Sequence, residues 1–451
     1  MPAPHPAYAR RLGLVTTTLM VVGGIIGSGI FLNPAVVAQR VGTASLTMVA
    51  WGAGAVVAIL GAFLFAELGA RRPAAGGGYV YVRDAFGPLP GFLYGWALLV
   101  AIASGAVAAV AVTFATYLVA LLGASPALVR PIACGAIGLV GAVNCLGVAP
   151  GAMVQNVFTV LKLAAIAGLV FVGLGGAPTG ASVAPSAVAS AAALPVPHGA
   201  WALAVAFGTA LVPVLFAYGG WQQTNFVAEE IVEPRRDLPR ALVAGVGIVA
   251  VAYLSVNLTY LRVLGVEGLA ASVAPAADVM GVRLGAIGRR FITVGIAIST
   301  AGFLNLVVLV TPRVYQAMAR DGVFFRGLAA LHPRTRTPVH AILLQGAWSI
   351  ALVLSGGYGE LLDWVTFADW IFFGLAAATL FVYRRREPAT PFRAPGHPWT
   401  TGLFVLAAAY VVLGAVVSNP GNALRGALTL AAGIPAYAWW RRGETRPGIG
   451  A

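Results

Sequence analysis

Twelve apolar runs follow one another along the chain and leave little sequence for anything else. They fall at 14–38, 44–70, 88–122, 127–148, 152–175, 200–229, 240–264, 285–311, 338–355, 361–383, 401–417 and 424–440. Hydrocarbon offers no water to backbone N–H and C=O groups, so runs of this length fold as helices that bond those groups internally. Charge agrees with this reading. Only 9% of the 451 residues are charged and 59% are hydrophobic, whereas soluble domains carry roughly 25% charge. A basic excess of 28 Lys+Arg over 14 Asp+Glu would invite nucleic acid as a partner. A mean hydropathy of +0.89 points to a lipid bilayer instead, with no nucleic acid. The expected fold class is all-α integral membrane, with 12 transmembrane helices.

Arginine sets the expected orientation, because cytoplasmic loops carry the positive excess. With the N-terminus inside, 20 arginines fall on cytoplasmic segments. Arg40, Arg130, Arg262, Arg283, Arg289, Arg290 and Arg425 fall outside. Both termini are therefore expected in the cytoplasm, in a cell inner (plasma) membrane. The start, MPAPHPAYARR, lacks a small-residue cleavage site, so the first run is expected to be retained. Residues 176–199, rich in Ala, Pro and Ser, read as a loop, and 265–284 as a segment with room for a short interfacial helix. Neither is long enough for a second domain. Cys134 and Cys145 share one apolar run, about 16 Å apart along a helix, too far for a disulfide within it. The five histidines show no metal-ligand spacing. No nucleophile motif or phosphate loop has the right flanks. No enzyme, cofactor or metal is expected, and no symmetric pore motif marks a channel.

Two of the runs are broken. The first holds Gly23-Gly24-Ile25-Ile26-Gly27-Ser28-Gly29-Ile30-Phe31, and the sixth holds Pro213 and then Phe216-Ala217-Tyr218-Gly219-Gly220-Trp221. Glycine weakens a helix by about 1 kcal/mol relative to alanine, and proline interrupts it. The breaks open segments five helices apart. Five is odd, so the second block of five starts from the opposite side of the membrane. That is the expected pattern of an inverted-repeat transporter whose discontinuous helices meet at the midplane. An unwound turn frees N–H groups for a carboxylate and C=O groups for an ammonium. An α-amino acid carries both.

These stretches resemble the amino acid–polyamine–organocation superfamily and, within it, the L-type amino acid transporter group. The resemblance covers nearly the whole chain. It is carried by Gly27 to Phe31, by Pro73 to Tyr81, by Val157 to Lys162, and by Phe216 to Trp221 followed by Asn225 to Glu230. It implies one transporter domain over 1–451, with five-helix repeats at 14–175 and 200–383 and two extra helices at 401–442. It implies that the Ser28, Gly29 and Ile30 amides and the Ser28 hydroxyl hold a substrate carboxylate. Carbonyls near Ile25, Phe216, Ala217 and Gly219 would hold the ammonium. Phe216 would gate the site, and Trp221 and Gln222 would line a side-chain pocket, with Ala101, Ile102 and Ser104 as weaker candidates. Eukaryotic L-type members bond to a glycoprotein subunit through a cysteine between helices 3 and 4. Here Gly123 to Arg130 has none, so no disulfide-linked heavy subunit is expected, and the protein is read as a monomer or homodimer. The implied activity is sodium-independent transport of neutral L-amino acids by exchange or uniport. Proton-coupled amino acid transport, or polyamine or cationic amine transport, is the alternative.

Two lone charges lie in the runs. Lys162, the single lysine of the chain, sits too deep to snorkel and needs a partner or a water-filled cavity. One reading is a tie between helix ends. The other, implied by the resemblance, is an ammonium standing where sodium-coupled relatives bind an ion, donating near Gly24 and to Ser299 or Thr300. Asp369 stands where the group often has Asn. It is read as a helix-end carboxylate, a pocket residue or a proton site. Glu67, Glu229 and Glu230 are read as gate or interface residues, with Arg71, Arg72 and Arg235 as partners left open.

Overall fold

The computed structural model describes residues 7–175, 199–356, 358–418 and 420–444, without the side chains of 358–367, 418 and 441–444. The loop expected at 176–199 lies, Gly199 apart, outside the described residues. Helices account for nearly all of the described chain, and no strand is present among those residues. Eight helical stretches are long and apolar enough to cross a membrane, or nine when one bent pair counts as a single span.

That bent pair is α1 (Leu14–Ile25) and α2 (Gly29–Val41), which meet at 43°. Ile26 is extended between them, at φ −76° and ψ 93°. α3 (Ala44–Arg71) starts at Thr43, whose hydroxyl accepts from the Leu46 amide and caps the helix. After a short α4 (Gly78–Phe86), α5 (Pro88–Ala97) passes through a π-helical turn at Leu98–Ile102 into α6 (Ala103–Leu122). Then come α7 (Val129–Cys145), α8 (Val148–Gly175) and α9 (Ala200–Tyr218). A 3-10 segment, Trp221–Glu230, precedes α10 (Pro234–Ala271) and α11 (Pro275–Val310). Gly265 and Gly285 leave helical geometry with φ of 70° and 61°, which bounds the segment expected at 265–284. Last come α12 (Pro312–Arg320), α13 (Val339–Ser355), α14 (Tyr358–Arg386), α15 (Trp399–Ser418) and α16 (Pro420–Glu444).

Packing sorts the helices into two groups. α10 lies against α1 and α3, and α9 against α2 and α3. Separately, α6 packs on α7, α11 and α13. α8 touches both groups, through α1 and α10 on one side and α11 on the other. Large apolar side chains such as Leu139, Phe171, Leu406 and Leu428 are exposed on the outer surface, where lipid rather than water is the natural solvent.

Proline does not break the sixth run. α9 continues through Pro213 and ends five residues later, at the Gly219–Gly220 pair. Pro213 has no N–H for the carbonyl one turn back, at Thr209. The Arg40 guanidinium of α2 donates to that carbonyl, and the Asn33 amide donates to the Pro213 carbonyl at 2.8 Å. With these groups satisfied from outside, the helix survives its proline.

Candidate functional site

The two broken helices cross where glycine meets glycine. Gly220 has a φ of 108°, and a methyl group built there would collide with the Gly24 carbonyl. On Gly24 a methyl would stand 3.0 Å from the Gly220 carbonyl oxygen. Only hydrogen fits on either side, so the ends of α1 and α9 touch through backbone. The break also leaves polar groups free. The amides of Gly29 and Ile30 open α2, where the first N–H groups have no intrahelical acceptor.

A cavity of about 260 Å³ lies against this crossing. Ile25, Ser28, Gly29, Phe216, Ala217, Gly219 and Gln222, all expected at the site, line it. Phe216 and Leu32 are partly exposed at its edge, whereas Tyr94, Phe226 and Thr311 are buried at its other side. Asp369 lines it too, with its neighbour Trp370 and, one turn on, Phe373. Ile102, in the π-helical turn, and Leu98 contribute a wall, in a geometry that recurs at functional sites.

Two expected site residues lie elsewhere. Ile30 is fully buried, and its carbonyl accepts from the Tyr260 hydroxyl at 3.4 Å. Trp221 faces away from the main cavity, into a cluster with Phe65, Phe373 and Phe404. It touches only a 10 Å³ crevice. The 3-10 turn after Gly220 rotates it off the cavity and brings Gln223 and Phe226 onto the lining in its place. Ser104 is buried beside the π-helical turn and does not line the cavity, nor does Ala101.

Sequence reasoning missed Tyr253 of α10. Its hydroxyl lies 3.1 Å from the Ile25 carbonyl and 3.2 Å from that of Ala217. One hydroxyl has one proton, so it donates to one carbonyl at a time and ties the ends of α1 and α9 together. A buried tyrosine in an apolar run carries no signal that it will meet two frayed helix ends.

Lys162 sits at the middle of α8, fully buried. Its Nζ donates to the carbonyls of Gly23 at 3.1 Å, Ile26 at 2.7 Å and Ser299 at 3.2 Å. An ammonium has three protons, and all three are used. The expected partners shift in detail. The Gly24 carbonyl faces Gly220, so Gly23 and Ile26 take its place. Ser299 accepts through its backbone, while its hydroxyl lies 3.3 Å from the carbonyls of Ile26 and Gly27. Thr300 turns back on its own helix, to the carbonyls of Ile296 and Ala297. Gly302 leaves room for the lysine, since a methyl there would stand 3.3 Å from Nζ.

At one end of the bundle the other charges are paired. Glu67 accepts from Arg71 at 2.7 Å and from Arg384, and from the Ala394 amide at 2.8 Å. Glu230 pairs with the buried Arg313 at 2.7 Å, over the ring of Tyr8. Glu229 lies 3.9 Å from Arg320 and accepts from the Ala75 amide at 3.3 Å. Arg72 pairs with Glu387, whose carboxyl it holds below the usual value through their hydrogen bond. Of the partners left open, Arg71 meets Glu67, while Arg72 and Arg235 pair with none of the three glutamates.

An apolar helical bundle with a polar crossing at its centre defines a multi-pass membrane protein. A family model described as amino acid permease matches residues 12–434. The chain belongs to that family, within the amino acid–polyamine–organocation superfamily. It is 32% identical over 417 residues to b(0,+)-type amino acid transporter 1 of Homo sapiens, covering 91% of this chain and 83% of that one. It is 30% identical over 436 residues to Large neutral amino acids transporter small subunit 2 of Mus musculus, covering 96% and 81%. These relatives are transporters and not enzymes.

Proposed function

We propose that the protein is a sodium-independent secondary carrier of α-amino acids, neutral L-amino acids foremost, working by alternating access in exchange or uniport. The observation that carries this reading is the cavity at the glycine crossing. Frayed amides at Ser28, Gly29 and Ile30 suit a carboxylate. The carbonyls of Ile25 and Ala217 compete for one tyrosine proton, so acceptor capacity remains for an ammonium. Apolar walls from Leu98, Ile102 and Phe216 suit a neutral side chain, with Phe216 at the edge as the gate.

Sodium independence rests on Lys162. Its ammonium fills the space between the end of α1 and α11 with three carbonyls around it, so a tethered cation does there what a bound ion would do. The full arrangement we propose has 12 spans, with five-helix repeats at 14–175 and 200–383 and two extra helices at 401–442. Exchanging the repeats turns α1 against α10 into α9 against α3, and both pairs occur. The two packed groups are the rocking bundle and the scaffold. Both termini lie in the cytoplasm of the plasma membrane, and the paired glutamates close the inner end. The chain works as a monomer or homodimer without a disulfide-linked subunit, since Gly123 to Arg130 holds no cysteine.

Counterflow tests the reading. Proteoliposomes loaded with unlabelled L-leucine should take up labelled L-leucine saturably and faster than empty ones. Uptake that neither saturates nor responds to internal substrate would contradict a carrier.

A further inference from the structure

Asp369 is the charge that the fold leaves without a partner. It stands about 16 Å along α14 from Tyr358, deep in the bundle, and its carboxylate makes no hydrogen bond or ion pair with a described residue. Glu67 and Glu230 are tied to arginines. The cavity lining includes Asp369 but no Lys, Arg or His among the described residues. An unpaired carboxylate at such depth is costly, and charges of this kind mark substrate or ion paths. Around it stand aromatic rings, Tyr94, Trp370 and Phe373. Rings and a carboxylate together suit a cationic group on an aliphatic stem, the stem lying along the rings and the charge meeting the carboxylate.

We propose that the same cavity takes α-amino acids whose side chain ends in a cation, with Asp369 as the side-chain counter-ion. This rests on the amino acid carrier reading. The α-carboxylate and α-ammonium sit at the crossing of α1 and α9, as for a neutral substrate. The distal ammonium or guanidinium reaches Asp369 and supplies the partner that the fold withholds. Asp369 is thus a specificity residue, and it discriminates by the far end of the side chain.

L-lysine and L-norleucine test this, because they differ by the distal ammonium alone. Binding to the purified protein, read by displacement of labelled L-lysine and L-norleucine, should favour lysine about tenfold in the wild type. Asp369→Asn should weaken lysine about thirtyfold and leave norleucine within about twofold, since removing one partner of a buried charge pair costs at least about 2 kcal/mol. Asp369→Glu, which keeps the charge, should still prefer lysine. If Asp369→Asn binds neither ligand, the wild-type ratio and the Glu variant decide. Norleucine binding without lysine binding in the wild type overturns this proposal and leaves the carrier reading standing. Lysine affinity unchanged by Asp369→Asn also overturns it. Binding of neither amino acid by the wild type overturns both.

Discussion

Lys162 and Asp369 are both lone charges deep in an apolar bundle, and the fold treats them in opposite ways. Lys162 has three protons and three carbonyls, from α1, the break after it, and α11. Asp369 has a cavity beside it and no protein partner in reach. A charge whose bonds are all made inside the chain holds helices in register, and it can report their movement because its partners lie on different elements. A charge whose bonds are left unmade is completed from outside. The first serves the transport cycle and the second serves the choice of cargo.

Four substitutions would break or sharpen this contrast, and the largest effect belongs to the backbone that both sites share. Gly220→Ala puts a side chain at a φ of 108°, into the Gly24 carbonyl. It should destabilise the protein by roughly 2–4 kcal/mol and abolish uptake, read by thermal unfolding and proteoliposome transport. Lys162→Ala comes next. The protein should still elute as a folded species, with uptake below about a tenth of wild type, because three carbonyls lose their donor at a cost of about 1–3 kcal/mol each before relaxation. Wild-type rates would reduce Lys162 to a tie between helices. Tyr253→Phe removes one shared proton and should lower apparent affinity by about threefold to tenfold for lysine and norleucine alike. A loss confined to one of them would place Tyr253 in the side-chain pocket instead. Thr300→Val should change uptake by less than about twofold, since that hydroxyl bonds only within α11.

Much of the fold is legible in the sequence where a single residue type decides the backbone. The runs ending at 264 and starting at 285 stop at Gly265 and Gly285, both at positive φ. The glycines at 23–29 mark the end of α1. Pro213 misleads because its remedy lies on another helix: Arg40 and Asn33 are about 170–180 residues away in sequence. The Glu67–Arg71 pair is a one-turn spacing that sequence displays. Glu230–Arg313 spans 83 residues and is visible only in the packed bundle. The site divides along the same line. Residues in the unwound stretches, such as Ser28, Gly29 and Ala217, lie on the cavity. Trp221 follows a 3-10 turn whose pitch differs from that of an α-helix, and the spacing that would place it on the lining fails. The lysine's own partners depend on which way the carbonyls of Gly23 and Ile26 tilt at the bend, a direction that no residue identity encodes.

The most direct test of the central claim, that a tethered ammonium takes the place of a bound ion, is the sodium dependence of transport. Initial rates of labelled L-leucine uptake by the wild-type protein in proteoliposomes would be measured with sodium present and with sodium replaced by choline. Equal rates are expected across sodium concentrations. A rate that rises and saturates with sodium would contradict it.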